Sequence, residues 1–300
     1  MQAGIGRMQT GAQGMASGDK AFTGSIPAIY DEYLVPIWFA PYAEDLVRRL
    51  SGVMRGRVLE IAAGSGAATR AMARALPPAV SIVATDLNGP MLDVSASRLA
   101  DRRIEWRVAD ASALPFDDKE FDAVVCQFGV MFLPDKAKGF AEARRVLKPG
   151  GLYIFNVWDT LDANVFALVA TQALAAVFPE DPPTFFERLP YGYNDAGDIR
   201  ATLVKAGFAN TEIETVEKTD RAPSPRAAAI GICQGTPLRN EIEARDASRL
   251  EEATDAVARV ESEVLHIARP LFHRMLREYP ETAAFLHGRC DVWYNRLTQI

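Results

Sequence analysis

The stretch Val58-Leu59-Glu60-Ile61-Ala62-Ala63-Gly64-Ser65-Gly66 decides the prediction of the fold. It has the pattern of a buried strand that ends in a turn of small residues, and a helical pattern begins directly after Gly66. Glycine allows the positive φ and the close backbone approach that a ligand lying over such a turn requires. The first amide groups of the following helix would point toward that ligand. The stretch predicts a ligand site, although a structural turn without a ligand is an alternative.

Short apolar strands alternate with longer helical stretches on both sides of this turn. We predict strands at Arg57–Ala62, Ser81–Asp86, Ile104–Ala109, Ala123–Gln127 and Gly151–Val157, with helices near Ala67–Leu76, Pro90–Leu99 and Ala137–Val146. Near-continuous apolar strands that alternate with helices are typical of a parallel sheet covered on both faces. Right-handed crossovers then favour an α/β, Rossmann-like, doubly wound and mainly parallel sheet.

The flanking segments have weaker patterns. We predict two or three short helices in Ile26–Leu50, because Pro36 and Pro41 interrupt the apolar spacing. Downstream we predict a helix at Ala163–Phe178, a helix from Asp195 to Ala206 and a strand at Thr211–Thr219, followed by helices from Arg226 to the end. A loop that contains Phe185, Phe186, Tyr191 and Tyr193 lies between the first two of these elements.

Composition and charge exclude several classes of protein. The formal net charge of −6 argues against a general nucleic-acid binder, which needs a basic face. The 3 cysteines are widely separated and suggest neither a disulfide framework nor a zinc site, so we expect a reducing, cytoplasmic environment. His266, His273 and His287 have no metal-ligand spacing, and no apolar run reaches the roughly 18 residues of a membrane span.

The glycine turn does not match two common phosphate-binding motifs. A dinucleotide fingerprint requires a third glycine, and this position is Thr69. No Gly-Lys-Ser/Thr follows, which argues against a P-loop. A nicotinamide-dependent oxidoreductase is therefore disfavoured.

Acidic residues follow two of the predicted strands. Asp86 ends the second strand, 20 residues after Gly66, where a carboxylate can accept hydrogen bonds from both ribose hydroxyls. Leu87 beside it offers an apolar face to an adenine ring. Asp110, followed by Ala111, can hold the exocyclic amine of that ring. The alternatives are an N-cap role for Asp86 and an ordinary turn role for Asp110.

The fourth strand also ends in candidate site residues. Gln127 and Phe128 follow the buried run that begins at Phe121, and strand carboxyl ends line the ligand crevice of open α/β sheets. They are candidates to face the reacting group, although Phe128 could equally be a core side chain. The corner Pro149-Gly150-Gly151 is assigned an architectural role between a helix and the fifth strand.

Taken in order, these motifs resemble those of the class I S-adenosylmethionine-dependent methyltransferases. The resemblance is carried by Val58–Gly66, Asp86, Asp110-Ala111, Phe121–Val124 and Leu147–Gly151, and covers roughly residues 30–217. It is closest to the small-molecule branch that includes ubiquinone and menaquinone biosynthesis enzymes. Each motif is weak alone, and the ordered set is specific.

The resemblance implies S-adenosylmethionine as the cofactor and a set of contacts to it. Glu60 and the Gly64–Gly66 turn would hold the methionine part, Asp86 the ribose, and Leu87 with Asp110 and Ala111 the adenine. The segment Tyr30–Tyr33 resembles an N-terminal lid, in which Tyr33 would touch the cofactor or else only pack. The full predicted set of cofactor-binding residues is Tyr33, Glu60, Ala62, Gly64, Gly66, Asp86, Leu87, Met91, Asp110, Ala111, Gln127 and Phe128.

The expected reaction is methyl transfer by in-line displacement to an oxygen, nitrogen or carbon atom of a small molecule. No residue is identifiable as a catalytic base; Tyr30, Asp31, Tyr191, Tyr193 and the three histidines are candidates. The aromatic-rich segment Phe185–Tyr193 favours an apolar or aromatic acceptor, unless it packs only on itself. The alternative function is a regulatory or scaffold protein that binds S-adenosylmethionine with little turnover. We expect no metal, no nucleic acid and no membrane span, and an oligomer is compatible with the sequence.

The expected organisation is a disordered tail at 1–25, a methyltransferase domain at 26–220 with a lid insertion near 160–195, and a mainly helical extension at 221–300. The resemblance also implies a seventh, antiparallel strand. The chain departs from the family here, because Val292–Thr298 is the only weak candidate for it.

Overall fold

The computed structural model describes residues 22–218 and 221–265. Its centre is a five-stranded parallel sheet in the order β3-β2-β1-β4-β5. The strands are β1 (Gly56–Glu60), β2 (Val80–Asp86), β3 (Ile104–Val108), β4 (Phe121–Gln127) and β5 (Leu147–Asn156). This confirms the predicted Rossmann-like, doubly wound sheet.

Helices cover the sheet and continue beyond it. They are α1 (Ile26–Ile29), α2 (Ala40–Arg48), α3 (Ala67–Ala75), α4 (Gly89–Arg98), α5 (Lys136–Val146), α6 (Val165–Val177), α7 (Phe185–Arg188), α8 (Ala196–Lys205), α9 (Pro225–Gln234), α10 (Leu238–Asp246) and α11 (Leu250–Leu265). Short 3₁₀ turns occupy Val130–Phe132, Leu161–Ala163 and Ala247–Arg249.

The two faces of the sheet bury separate apolar clusters. Val58, Ile82 and Val125 pack with α2 and α3 on one face. Leu59 and Val124 pack with α5 and α8 on the other. Successive residues of a strand point to opposite faces, so strands that are apolar at every position become buried on both sides. The continuous apolar runs in the sequence therefore lie in the centre of the sheet.

The segment Ile26–Leu50 is less broken than its prolines predict. Helices α1 and α2 are joined by a π-helical stretch, Tyr30–Phe39, which contains Pro36. At its end the N–H of Ala40 donates to the carbonyl of Val35, five residues earlier. Proline has no N–H to donate, and the helical path continues past it in this wider winding. Pro41 lies in the first turn of α2, the part of a helix that tolerates proline best.

Strands β4 and β5 begin earlier than predicted. β4 begins at Phe121, and β5 begins at Leu147 directly opposite it. The register then shifts, so that Ala123 pairs with Leu152. Pro149-Gly150-Gly151 therefore forms a bulge inside β5, with φ of +78° at Gly150, and not a corner before the strand.

The predicted strand at Thr211–Thr219 is wrong for the residues described there, 211–218, which belong to no strand. This segment and the outer edge of β5 line the same cavity of about 1120 Å³. Leu152 on β5 and Ile213 on the segment are 43% and 41% exposed. An alternating sequence becomes a strand only when a neighbouring strand lies within hydrogen-bonding distance, and no strand of the described residues pairs with this stretch.

Helices α6, α7, α9, α10 and α11 share a second apolar core with the sheet domain's N-terminal segment. Buried side chains of this core include Leu174, Phe185 and Ile232, and Trp38 packs against them. The predicted helices after Arg226 are confirmed as far as Leu265. The three histidines, Val292–Thr298 and most of the predicted tail at 1–25 lie outside the described residues. Among the helices described, none has the length and apolar character needed to cross a membrane.

Candidate functional site

The turn after β1 has an unusual backbone. Ala62, Gly64 and Gly66 have φ values of +54°, +56° and +87°. A Cβ added to Gly66 would lie 1.9 Å from Ser95 Oγ of α4, so close packing explains this glycine. A Cβ on Gly64 would meet only Met91 Cε, at 3.4 Å. Glycine is therefore favoured at position 64 by the positive φ and not by close packing, and the space above this residue is open.

Asp86 connects the end of β2 to this turn. Its Oδ2 accepts the N–H of Gly64 at 2.9 Å, and its Oδ1 accepts the N–H of Asn88 at 2.8 Å. Helix α4 has Asn88 as its N-cap, so the alternative N-cap role for Asp86 is wrong. The residue is 7% exposed, and burial raises the pKa of its carboxyl while these hydrogen bonds oppose the rise. Oδ1 also accepts from the side-chain amide of Asn88 at 3.2 Å, so the further lone pair for a ligand is on Oδ2.

Glu60 lies at the end of β1, beneath the turn. It is 1% exposed, and the hydroxyl of Thr69 donates to its Oε2 at 2.5 Å. Burial, with a smaller contribution from the Asp86 carboxylate, raises the pKa of Glu60 to about 8. The side chain is therefore mainly protonated near neutral pH, and a cation beside it would favour its ionised form.

The next strand ends leave apolar side chains uncovered. Val108 pairs with Asp86 in the register of β2 and β3 and is 58% exposed, and Leu87 is 50% exposed. Asp110 is exposed, and its Oδ1 accepts the N–H of Ser112 at 2.8 Å, as in an ordinary Asx turn. Ala111 is half-buried. Val108 was not among the predicted site residues, although its place two positions before the candidate Asp110 marks it in the sequence.

At the end of β4, Gln127 is fixed in one orientation. Its Nε2 donates to the carbonyl of Phe39 at 2.7 Å, which leaves Oε1 as the free acceptor. Oε1 is buried and finds no hydrogen-bond partner among the described residues. Phe128 follows with φ of +49°, and its N–H donates to Asn156 Oδ1 at 2.9 Å. Its ring stacks on Trp158 at a centroid distance of 3.8 Å.

Aromatic side chains from distant parts of the chain meet beside this strand end. Each contacts the next, with ring centroids 4.9 to 6.5 Å apart, in a closed sequence that we term the aromatic circuit. Its members are Phe22, Tyr30, Phe39, Trp158, Tyr191, Phe186, Phe185 and Phe132. Of these, Phe22, Phe39, Phe132 and Trp158 were not predicted, because nothing local in the sequence marks them.

The aromatic circuit borders the large cavity next to β5. Phe128, Trp158 and Tyr191 line this cavity, together with Asn156. Its lining in the described part of the chain contains no residue of the glycine turn. The glycine turn and the aromatic circuit are therefore two neighbouring parts of one strand-end region.

The two tyrosines of the N-terminal segment have different surroundings. Burial, then the carboxylates of Asp86 and Asp31, raise the pKa of the Tyr30 hydroxyl well above its usual value. Tyr33 packs by its Cβ against helix α9, where a Cβ added to Gly231 would lie 3.2 Å away. The π-helical winding separates residues three apart that an α-helix would place on one face.

The candidate bases are dispersed. Tyr191 belongs to the aromatic circuit, and the ammonium of Lys136 lies 5.0 Å from the ring centroid of Tyr193. Partial burial raises the pKa of Tyr193. Among the described residues no group of three or more His, Cys, Asp or Glu side chains is placed to hold a metal ion. The geometry selects none of these residues as a base.

Comparisons with known proteins agree with this arrangement. Residues 59–155 match the family described as a methyltransferase domain. The ubiquinone/menaquinone biosynthesis C-methyltransferase UbiE of Geobacter sulfurreducens is 30% identical over 168 residues, which are 52% of this chain and 66% of that protein. UbiE of Burkholderia mallei (strain SAVP1) is 37% identical over 138 residues, 43% of this chain and 57% of that protein. The chain thus spans less than two thirds of the length of these curated relatives.

A solved structure supports the fold. Phosphoethanolamine N-methyltransferase 2 of Haemonchus contortus, in complex with phosphomonomethylethanolamine and S-adenosylhomocysteine, superposes with a TM-score of 0.51 at 21% identity. The superposition covers 81% of this chain and 53% of that one. This likeness concerns the fold alone, and the sequence matches confirm the resemblance stated above. Residues 59–155 thus form a methyltransferase domain, and the chain resembles the class I S-adenosylmethionine-dependent methyltransferases.

Proposed function

We propose that this protein transfers a methyl group from S-adenosylmethionine to a small molecule with a flat apolar face. The observation that carries the proposal is the buried Asp86 carboxylate, which is hydrogen-bonded to the N–H of Gly64 and lies where the open space above the turn begins. The names of the relatives describe enzymes, which favours catalysis over the alternative of a binding protein without turnover.

The residues present fit the polar half of such a cofactor. Ser65 Oγ in the turn and Gln127 Oε1 are buried and lack a hydrogen-bond partner among the described residues. Buried polar atoms are normally hydrogen-bonded, so a polar ligand that supplies these bonds is favoured here. Gly64 has no Cβ to fill the space over the turn. A Cβ placed there would make only an ordinary contact with Met91.

We assign the parts of the cofactor to groups that match their chemistry. The ionised form of Glu60 would bind the ammonium, and Asp86 the ribose hydroxyls. Leu87 and Val108 would take the adenine ring between them, with Asp110 and Ala111 at its edge. Tyr33, Ala62, Gly66 and Met91 remain predicted contacts around these positions.

When bound, S-adenosylmethionine supplies a methyl group already activated by its sulfonium. The protein then has to orient the acceptor and exclude water, and orientation of this kind can lower a barrier by roughly 7–11 kcal/mol. Phe128, fixed by its bond to Asn156 and stacked on Trp158, offers a rigid wall for that purpose. The Oε1 of Gln127 would accept a hydrogen bond from the cofactor or the acceptor.

The class of acceptor follows from the aromatic circuit and the adjoining cavity. Rings spaced 4.9 to 6.5 Å apart present edges and faces that suit another aromatic ring. The three ring residues Phe128, Trp158 and Tyr191 line the cavity and would bury apolar area of the acceptor. We therefore propose a phenolic or quinol-like aromatic acceptor.

The test is transfer of a labelled methyl group from S-adenosylmethionine to matched pairs of acceptors. We expect transfer to substituted phenols and quinols and little transfer to their saturated cyclohexanol analogues. Equal transfer to both would contradict the aromatic preference. Calorimetry with S-adenosylmethionine, S-adenosylhomocysteine and NADH provides the binding control. Binding of NADH alone would overturn the proposed function itself.

A further inference from the structure

A buried ion pair joins the N-terminal segment to the glycine turn. Asp31 lies in the π-helical stretch, and its Oδ1 is 2.8 Å from a terminal nitrogen of Arg70 in α3. The other terminal nitrogen of Arg70 donates to the carbonyl of Ser65, inside the glycine turn, at 2.7 Å. We term Asp31, Arg70 and Ser65 the turn bridge. It links two segments that are far apart in the sequence and whose contact nothing in the sequence indicates.

The chemistry of the bridge depends on arginine. A guanidinium has donors on both terminal nitrogens, so it can bind a carboxylate and a carbonyl at once. The single ammonium of lysine lacks this fork. The side chain of Asp31 is 7% exposed, so solvent screens the pair much less than a surface pair. Arg98, which is 57% exposed, adds a longer contact of 3.4 Å to the other oxygen of Asp31.

Among the described residues, only one side of the candidate cofactor site is covered. Glu60 and Asp86 are 1% and 7% exposed, whereas Leu87 and Val108 are 50% and 58% exposed. The covered side is the one that the N-terminal segment contacts, because Arg70 binds both Asp31 and the turn, and Gln127 donates to the carbonyl of Phe39. The adenine side is thus open, and the N-terminal segment lies over the methionine and ribose side.

We propose that Asp31 is a positioning residue: through Arg70 and Ser65 it fastens the segment Tyr30–Phe39 over the covered half of the site and so slows the release of the cofactor. The inference rests on the proposed cofactor site. A ligand held under this segment leaves only after the segment moves, and that movement breaks the ion pair between Asp31 and Arg70. The bridge therefore contributes to the dissociation rate and not to the chemical step.

The experiment measures the rate of S-adenosylhomocysteine release from the full chain by stopped-flow displacement. In Asp31→Asn the charge is lost, and we expect release about tenfold faster, equal to about 1.4 kcal/mol, with little change in the association rate. Arg70→Lys should give a similar increase. The double variant should be no faster than either single one, because both changes break the same bridge.

Asp45→Asn is the matched control. Asp45 belongs to the same helical segment and pairs with Arg48 and Arg49 at 2.6 and 2.9 Å, but these partners are not in the turn. The rate of S-adenosylhomocysteine release from Asp45→Asn should equal that from the unchanged protein.

Several results would overturn the inference. These are a release rate within twofold of the unchanged protein in folded Asp31→Asn and Arg70→Lys, additive effects in the double variant, or equally fast release in Asp45→Asn. Melting curves without ligand identify a variant that has merely lost stability. A wild-type protein that binds no S-adenosylhomocysteine would instead refute the proposed function, and the bridge's role with it.

Discussion

The polar and aromatic halves of the site are built in different ways. The polar half lies at the ends of β1, β2 and β3, within residues 60–110, and its groups are fixed by short hydrogen bonds such as that from Gly64 to Asp86. The aromatic half gathers rings from Phe22 to Tyr191 through packing. Under the proposed function, cofactor recognition would therefore be encoded locally, whereas acceptor recognition would depend on the whole fold.

The largest expected effect is a loss of stability on substitution in the glycine turn. Gly66→Ala places a Cβ 1.9 Å from Ser95 Oγ at a φ of +87°. We expect a loss of about 4 kcal/mol of unfolding free energy from backbone strain and overpacking together. Urea denaturation measures it. Gly64→Ala should cost only about 1 kcal/mol, because strain alone applies there. Ser95→Ala in the Gly66→Ala background should recover part of the loss; equal losses at the two glycines would contradict the packing argument.

The next effect is a dependence of stability on pH through Glu60. Its pKa is raised from 4.5 to about 8 in the folded protein, so the folded state keeps a proton that the unfolded chain releases. The contribution of Glu60 to stability is complete below the unfolded pKa and is lost as pH rises through the folded one. Relative to Glu60→Gln, the unchanged protein should lose about 3 kcal/mol from about pH 5 to about pH 8. If the unfolding free energies of the unchanged protein and of Glu60→Gln changed with pH in parallel, the raised pKa of Glu60 would be ruled out.

A smaller effect is expected on cofactor affinity. Asp86→Ala removes the acceptor proposed for the ribose hydroxyls and should weaken binding of S-adenosylhomocysteine by about 1–3 kcal/mol. Isothermal titration of the folded variant measures this change. Asp110→Ala is the comparison, because an exposed Asx-turn carboxylate should matter less. Unchanged affinity in Asp86→Ala would remove this residue from the site.

The smallest expected effect is on acceptor kinetics, and it distinguishes the aromatic half of the site from the polar half. Trp158→Leu removes the ring stacked on Phe128, and kcat/KM for an aromatic acceptor should fall by about 1 kcal/mol in transition-state free energy, a loss typical of one aromatic pair. The affinity for S-adenosylhomocysteine should stay within twofold of its original value. A variant that loses cofactor affinity and retains acceptor kinetics would reverse the assignment of the halves.

The sequence predicted the sheet well for a physical reason. Strands buried on both faces require apolar residues at nearly every position, and that pattern is visible without a structure. The glycines and Asp86 were visible because they follow those strands directly. The predicted strand at Thr211–Thr219 was wrong for residues 211–218 because alternation in a sequence does not reveal whether a partner strand lies beside it.

The rest of the site depends on contacts that no local pattern encodes. Trp158 and Phe22 belong to the aromatic circuit only through packing across the fold. The pairing of Asp31 with Arg70, 39 residues later, depends on the π-helical path of the N-terminal segment. The prediction that Tyr33 contacts the cofactor came from the resemblance of Tyr30–Tyr33 to an N-terminal lid, and it stays a prediction.

The most direct test of the central claim is a crystal structure with S-adenosylhomocysteine bound. The account predicts the ribose hydroxyls within about 3 Å of the Asp86 carboxylate, the usual hydrogen-bond distance, and the adenine between Leu87 and Val108. The sulfur should then face Phe128 and the aromatic circuit. A ligand in the cavity beside β5, with its sugar out of reach of Asp86, would contradict the account.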